Sequence, residues 1–203
     1  MSETKIKICG LTRDEDIKIV NERLEVDWAG FVMFFPKSRR NVEFDEAVRL
    51  GKQLKGIEAV AVTVSPTPEQ ARKIFHAGFG FIQIHGELTE RTYRACHLPI
   101  IRAFNSFDRA ELERCAGLDN IEYFLFDAAE PGGGKPFDWG VLSGLPDYGK
   151  KIILAGGLTA DNVAAAINAV HPDRVDVSTG VEFPAGGKDP ELVKRFCEAV
   201  KNA

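Results

Sequence analysis

The stretch that decides the fold is residues 151–180, KIILAGGLTADNVAAAINAVHPDRVDVSTG. It opens with an apolar run that ends at two glycines, continues through an alanine-rich stretch, and closes with a second short β-branched run. Alanine is the strongest helix former, and short apolar runs bounded by glycine are typical of buried strands. We therefore predict strands at Lys151–Ala155 and Arg174–Val177, joined by a helix at Thr159–Val170.

The same alternation of strand and helix extends over the whole chain. Earlier strands are predicted at Lys5–Cys9, Trp28–Phe35, Ile57–Val64, Phe79–Ile84, Pro99–Phe104 and Glu122–Phe126. Amphipathic stretches separate them, and the first is predicted to begin at Thr12, where Glu15 completes the spacing of a capping box. Further helices are predicted at Phe44–Leu54, Trp139–Ser143 and Lys188–Asn202.

About eight strand–helix units in series predict the α/β class and a parallel sheet with right-handed crossovers. We expect a single (β/α)8 TIM barrel with eight parallel strands and short loops, forming one domain over residues 1–203. An open doubly wound sheet is the alternative, but its usual glycine-rich first turn is missing from this sequence.

Composition narrows the functional classes. Of 203 residues, 44% are hydrophobic, which is enough for a core, and the net charge of −4 comes without a long basic run. We therefore expect no nucleic-acid partner and no membrane partner. Four scattered cysteines and a start without an apolar signal favour a cytoplasmic protein. Motifs for zinc, nucleotides and dinucleotides are missing, so no metal and no cofactor is expected.

In a barrel of this kind, active sites lie at the carboxyl ends of the strands. The ends of the last two strands carry glycines and hydroxyls, namely Gly156, Gly157, Ser178, Thr179 and Gly180. Glycine lets the backbone approach a ligand closely, and N–H groups at helix starts suit a phosphate. These residues are candidates for phosphate binding, and the alternative is ordinary turn chemistry.

Cys9 and Asp127 lie at the ends of the first and sixth predicted strands. A thiolate is a suitable base and a carboxylic acid a suitable proton donor when the site adjusts their pKa values. Lys7 lies on the same side of its strand as Cys9, where its ammonium would favour the thiolate. Taken alone, Cys9 also fits a buried apolar position, and Asp127 fits a helix cap.

Arg40, His85 and Asp176 lie at three further strand ends. Arginine binds carboxylates through a planar fork, so Arg40 is a candidate for an anionic substrate group. A solvated loop charge remains the alternative for Arg40, and a backbone-bonded histidine remains the alternative for His85.

Together these segments resemble the phosphoribosylanthranilate isomerase family of tryptophan biosynthesis. The matching segments run in order along nearly the whole chain: KICGLT at 7–12, GFV at 30–32, SRRNV at 38–42, QIHG at 83–86, FD at 126–127, FDW at 137–139, LAGGL at 154–158, DVSTGVE at 176–182 and GKD at 187–189. The first-strand segment at 7–12 and the eighth-strand segment at 176–182 are the most specific for this family.

The resemblance implies an Amadori rearrangement of a sugar phosphate that carries an aromatic carboxylate, without a cofactor. It implies Cys9 as general base, Asp127 as general acid and Arg40 as the group that binds the anthranilate carboxylate. The other candidates would hold phosphate or line the site, and the protein would be a monomer or a homodimer.

Some positions depart from the family pattern. The third strand ends in Val62–Ser65, where the family usually has a Phe-Val-Asn-like sequence, and Arg39 stands where a proline is frequent. The loop after Asp127 is short. Three other kinds of barrel share parts of this pattern. Cys9 disfavours the related histidine-pathway isomerase, and the early first strand disfavours indole-glycerol-phosphate synthase. A non-catalytic phosphate-binding barrel would lack the acid or the base, and both Cys9 and Asp127 are present.

Overall fold

A closed barrel of eight parallel strands forms the centre of the molecule. The computed structural model describes residues 4–105, 108–127, 139, 142 and 146–203. The strands follow one another around the barrel in chain order: β1 (Lys5–Cys9), β2 (Val26–Val32), β3 (Glu58–Val64), β4 (Phe81–His85), β5 (Ile100–Phe104), β6 (Ile121–Phe126), β7 (Lys151–Leu154) and β8 (Arg174–Val177). The barrel closes where β1 pairs with β8, which confirms the predicted fold class.

Within the described ranges, six α-helices connect successive strands and a seventh follows β8. They are α1 (Asp14–Asn21), α2 (Phe44–Gly51), α3 (Pro68–His76), α4 (Glu90–Ala95), α5 (Arg109–Ala116), α6 (Val163–Val170) and α7 (Pro190–Lys201). The helix predicted at Trp139–Ser143 lies mostly outside the described residues. Each helix is short, as a barrel built from about two hundred residues requires.

The start of α1 differs from the prediction. The capping box at Thr12 and Glu15 is wrong, because Arg13 is the N-cap and its side chain makes no capping bond. The buried carboxylate of Asp16 instead accepts hydrogen bonds from the backbone N–H of Thr12 at 2.9 Å and of Lys188 at 2.8 Å. A tertiary contact therefore replaces the local cap and ties the first βα loop to the loop that precedes α7.

Apolar side chains fill two layers. The outer layer lies between strands and helices and includes Phe31, Phe124 and Phe196. The inner layer fills the barrel itself with residues such as Trp28, and the guanidinium of Arg174 lies 3.6 Å from the centroid of the Trp28 ring. The two side chains in this cation–π contact fill the interior of the barrel near the amino-terminal ends of the strands. The other end of the barrel is thereby left for polar side chains and a ligand.

We expect Phe31→Ala to destabilise the protein by roughly 3–5 kcal/mol, because it leaves a cavity between the sheet and the helices. Phe31 is fully buried. Urea unfolding monitored by circular dichroism measures the change. Leu24, which is fully exposed, provides the control: Leu24→Ala should stay within about 0.5 kcal/mol of wild type. Equal effects of the two substitutions would contradict the packing described here.

Candidate active site

A cavity of about 1130 Å³ opens at the carboxyl ends of the strands. All ten residues that the sequence singled out line this cavity: Cys9, Arg40, His85, Asp127, Gly156, Gly157, Asp176, Ser178, Thr179 and Gly180. They come from loops and strands spread over the whole chain, so the closed barrel is what brings them together.

An ion pair lies beneath the cavity, at the seam where the barrel closes. Lys7 on β1 and Asp176 on β8 are register partners, and Lys7 Nζ lies 2.9 Å from Asp176 Oδ2. Both side chains are buried. A Cβ placed on Gly30 of β2 would lie 2.8 Å from Cys9 Sγ and 3.2 Å from Lys7 Nζ. The missing side chain of Gly30 therefore leaves the space in which thiol and ammonium meet.

Burial controls the charge state of Cys9. It raises the pKa of the Cys9 thiol above its usual value, and Lys7 and Lys188 only partly offset this rise, to which Asp176 adds. The ammonium of Lys7 lies beside the sulfur, as the sequence predicted, but burial outweighs its effect on the pKa of Cys9. Burial opposes the charge of Lys7 as well, yet the neighbouring Asp176 and Cys9 raise the pKa of Lys7 overall.

Glu182 forms a second charged cluster, which sequence reasoning missed. Its carboxylate is buried and accepts hydrogen bonds from Arg40 Nε at 2.7 Å, from Arg39 Nη2 at 2.7 Å and from Lys188 Nζ at 2.9 Å. Burial alone would raise the pKa of Glu182, but Arg40 and Lys188 outweigh it and hold the pKa at about 2. The only sequence signal was an acidic residue inside the eighth-strand segment, far along the chain from the arginines.

The glycine loops adopt conformations that side chains disfavour. Gly156 has a φ of 82° and Gly157 a φ of 66°, both in the left-handed region. A Cβ on Gly180 would collide with the backbone oxygen of Leu158. The turns after β7 and β8 therefore pack backbone against backbone beside the cavity. Such turns present main-chain groups to a ligand, as an anion site requires.

Strand β4 contributes two polar side chains. Gln83 Nε2 lies 2.7 Å from His85 Nε2, and an amide nitrogen only donates, so the ring nitrogen accepts. Burial, assisted by Lys7 and Arg102, lowers the pKa of His85 to about 4. Two buried acceptors in this region, Gln83 Oε1 and Asp176 Oδ1, have no hydrogen-bond partner among the described residues. They suit a ligand that brings hydroxyl donors. Gln83 was not among the site residues predicted from the sequence.

Asp127 follows β6, on the far side of the cavity mouth. Its backbone N–H donates to the carbonyl oxygen of Phe104 at 3.0 Å, which fixes the main chain at the point where β6 ends. Within the described ranges, no cluster of three or more His, Cys, Asp or Glu side chains has the arrangement of a metal site. No helix in those ranges is long and apolar enough to cross a membrane.

Fold and site together define a TIM-barrel enzyme that works at the carboxyl ends of its strands. The sequence profile of the N-(5'phosphoribosyl)anthranilate (PRA) isomerase family matches residues 6–199. A relative from Streptococcus mutans serotype c, named N-(5'-phosphoribosyl)anthranilate isomerase, is 38% identical over 98% of this chain and 99% of its own. The chain therefore belongs to the phosphoribosylanthranilate isomerase family, whose members are isomerases of tryptophan biosynthesis.

Solved structures agree with this family membership. The phosphoribosylanthranilate isomerase of Thermotoga maritima superimposes with a TM-score of 0.86 at 32% identity, covering 98% of this chain and 100% of that one. Another phosphoribosylanthranilate isomerase structure is in complex with reduced 1-(o-carboxyphenylamino)-1-deoxyribulose 5-phosphate. It gives a TM-score of 0.83 at 30% identity, covering 98% of this chain and 100% of that one.

We expect the His85 ring to stay neutral down to about pH 5, because burial lowers its pKa to about 4. Folding favours the neutral ring, so this contribution to stability is present above about pH 6.5, the ordinary histidine value, and is lost as the pH falls towards 4. Nitrogen-15 NMR of the histidine rings measures the titration, and the spectrum of His85→Asn assigns the signal. A His85 midpoint near 6.5 would contradict the buried environment.

Proposed function

We propose that the chain converts N-(5'-phosphoribosyl)anthranilate into 1-(2-carboxyphenylamino)-1-deoxyribulose 5-phosphate, with Cys9 as general base and Asp127 as general acid. The observation that carries the proposal is that both groups line one cavity from different sides. Cys9 ends β1 and Asp127 follows β6, and these strands are three positions apart in the order of the barrel. A sugar ring between them is reached by an acid and a base at once.

The reaction proceeds through one proton transfer from Asp127 and one to Cys9, followed by tautomerisation of the enolamine. Asp127 gives a proton to the ring oxygen of the furanose, the bond from that oxygen to C1 breaks, and the nitrogen lone pair forms a protonated Schiff base. The Cys9 thiolate then removes the proton from C2, and the electron pair moves to give an enolamine. The enolamine gains a proton at C1 and loses one from the C2 hydroxyl, which leaves the ketone. Atoms are conserved, as an isomerisation requires, and each acid or base contributes about 10²- to 10⁴-fold.

Binding groups hold the two anionic ends of the substrate. Arg40 takes the anthranilate carboxylate, and the turns after β7 and β8 take the phosphate through Gly156, Gly157, Ser178, Thr179 and Gly180. The unpartnered acceptor of Asp176 and the neutral His85 line the sugar between them. The structural relative with a bound product analogue supports a ligand that has both a carboxylate and a phosphate.

We propose that the enzyme works in the cytoplasm. All four cysteines are free and buried thiols, which supports work in the cytoplasm. We propose a small-molecule substrate and either a monomer or a homodimer. A Thermotoga maritima relative is described as dimeric, and monomers have been generated from it.

The proposal is tested by a fluorescence assay of freshly made N-(5'-phosphoribosyl)anthranilate with EDTA present and no added cofactor. Wild type should consume the anthranilate fluorescence, and Cys9→Ala or Asp127→Ala should slow turnover by roughly 10²- to 10⁴-fold. Circular dichroism checks that the variants fold. Near-normal turnover in either variant would remove that residue from its role, and no turnover in wild type would move the test to the histidine-pathway substrate.

Two substitutions should shift the reactivity of Cys9 in opposite directions. Lys7→Met removes a nearby positive charge, so alkylation of Cys9 by iodoacetamide should require higher pH than in wild type. Asp176→Asn removes a negative charge that raises the Cys9 pKa, so alkylation should begin at lower pH. Mass spectrometry follows Cys9 separately from the other cysteines, Cys96, Cys115 and Cys197, whose pKa values burial raises to about 11, 11 and 12.

The opposite signs are the control in this experiment. A loss of packing at the seam would make Cys9 more reactive in both variants, whereas an electrostatic effect separates them. Shifts of the same sign would show that Lys7 supports the structure around Cys9 without setting its charge.

A further inference from the structure

Arg40 is held by one edge of its guanidinium. Its Nε donates to Glu182 Oε1 at 2.7 Å, and its Nη2 donates to Glu182 Oε2 at 2.9 Å. The same Nη2 also donates to Thr179 Oγ1 at 2.8 Å. No described residue forms a hydrogen bond with Nη1. The edge of the guanidinium formed by Nε and Nη2 therefore binds the Glu182 carboxylate. The two N–H groups of Nη1 are left for another acceptor.

We propose that Glu182 is a positioning residue for Arg40, holding the guanidinium by one edge so that Nη1 binds the carboxylate of the substrate. The inference rests on the proposed function, which gives Arg40 the carboxylate. An arginine side chain has many rotamers, and a ligand that must order it loses affinity. Glu182 and Thr179 have ordered Arg40 before the ligand arrives.

The cluster stays attractive to an anion despite the buried carboxylate. Glu182 contributes one negative charge and is surrounded by three positive ones, from Arg39, Arg40 and Lys188. Arg39 and Arg40 both line the cavity, so its wall keeps an excess of positive charge. That excess of positive charge favours an anionic ligand. It also explains how Glu182 orients an arginine without repelling the substrate.

The sharpest test is a double-mutant cycle of Glu182→Gln and Arg40→Ala, measured as KM and kcat. An amide at position 182 keeps the shape but offers one acceptor in place of two and places an NH2 group against the guanidinium. In the presence of Arg40, Glu182→Gln should raise KM about tenfold, the effect of one poorly placed charged hydrogen bond, while kcat changes less. In the Arg40→Ala background, Glu182→Gln should leave KM unchanged, because there is no fork to orient.

A ligand that lacks the carboxylate gives a second readout. Reduced 1-phenylamino-1-deoxyribulose 5-phosphate keeps the ring and the phosphate, so its inhibition constant should be the same for wild type and Glu182→Gln. The reduced 2-carboxyphenyl compound should bind the variant more weakly. Glu46→Gln is the matched control, because it removes a carboxylate that pairs with Arg49 on the exposed surface, and its kinetics should match wild type.

The outcomes separate this inference from the proposed function. If Glu182→Gln raises KM by the same factor with and without Arg40, or weakens both inhibitors equally, the positioning role is wrong while the proposed function stands. Absence of turnover in wild type refutes the proposed function itself. If Glu182→Gln fails to fold, Glu182→Asp keeps the charge on a shorter arm. It should raise KM only when Arg40 is present, and an equal rise without Arg40 overturns the inference.

Discussion

The buried ion pair between Lys7 and Asp176 is the interaction on which the rest of the site depends. It joins β1 to β8, the two strands that must meet for the barrel to close. Removing two charges from water is costly, and breaking one partner from a buried pair typically costs about 3–5 kcal/mol. The pair is therefore satisfied only when the first and last strands are in their native register. The contact between β1 and β8 that closes the barrel therefore also completes the floor of the cavity.

The same ion pair also determines the net charge at the floor of the cavity. The two charges of the pair cancel, so Cys9 does not lie beside an isolated ammonium. Desolvation therefore has the largest effect on the pKa of the Cys9 thiol. At the cavity wall the balance is different, because two arginines there, Arg39 and Arg40, share the carboxylate of Glu182. The floor is neutral and the wall positive, which matches a substrate that is neutral at the sugar and anionic at both ends.

Most of the fold was predictable because its strands are short, apolar and regularly spaced. β1 and β8 have the predicted bounds, and β5 differs by one residue. The bounds of β2 were wrong, because it begins two residues before and ends three residues before the predicted Trp28–Phe35. The strand ends also identified the cavity residues, since a parallel barrel brings all such ends to one face. Where prediction failed, the deciding contact was distant in sequence. The cap expected at Thr12 was displaced by a bond between Asp16 and the backbone of Lys188. Glu182 was overlooked because its arginine partners lie some 140 positions away.

The fastening of the loop before α7 to the loop after β1 has a consequence for protein synthesis. Lys188 reaches back to Glu182 through its side chain and to Asp16 through its backbone, and Asp176 must arrive before Lys7 has a counter-ion. A nascent chain emerging from the ribosome therefore carries Lys7 as an unmatched charge through most of translation. Its first strands have no finished surface on which to bind substrate. The floor of the cavity is complete only after β8 and the loop that follows it have left the exit tunnel.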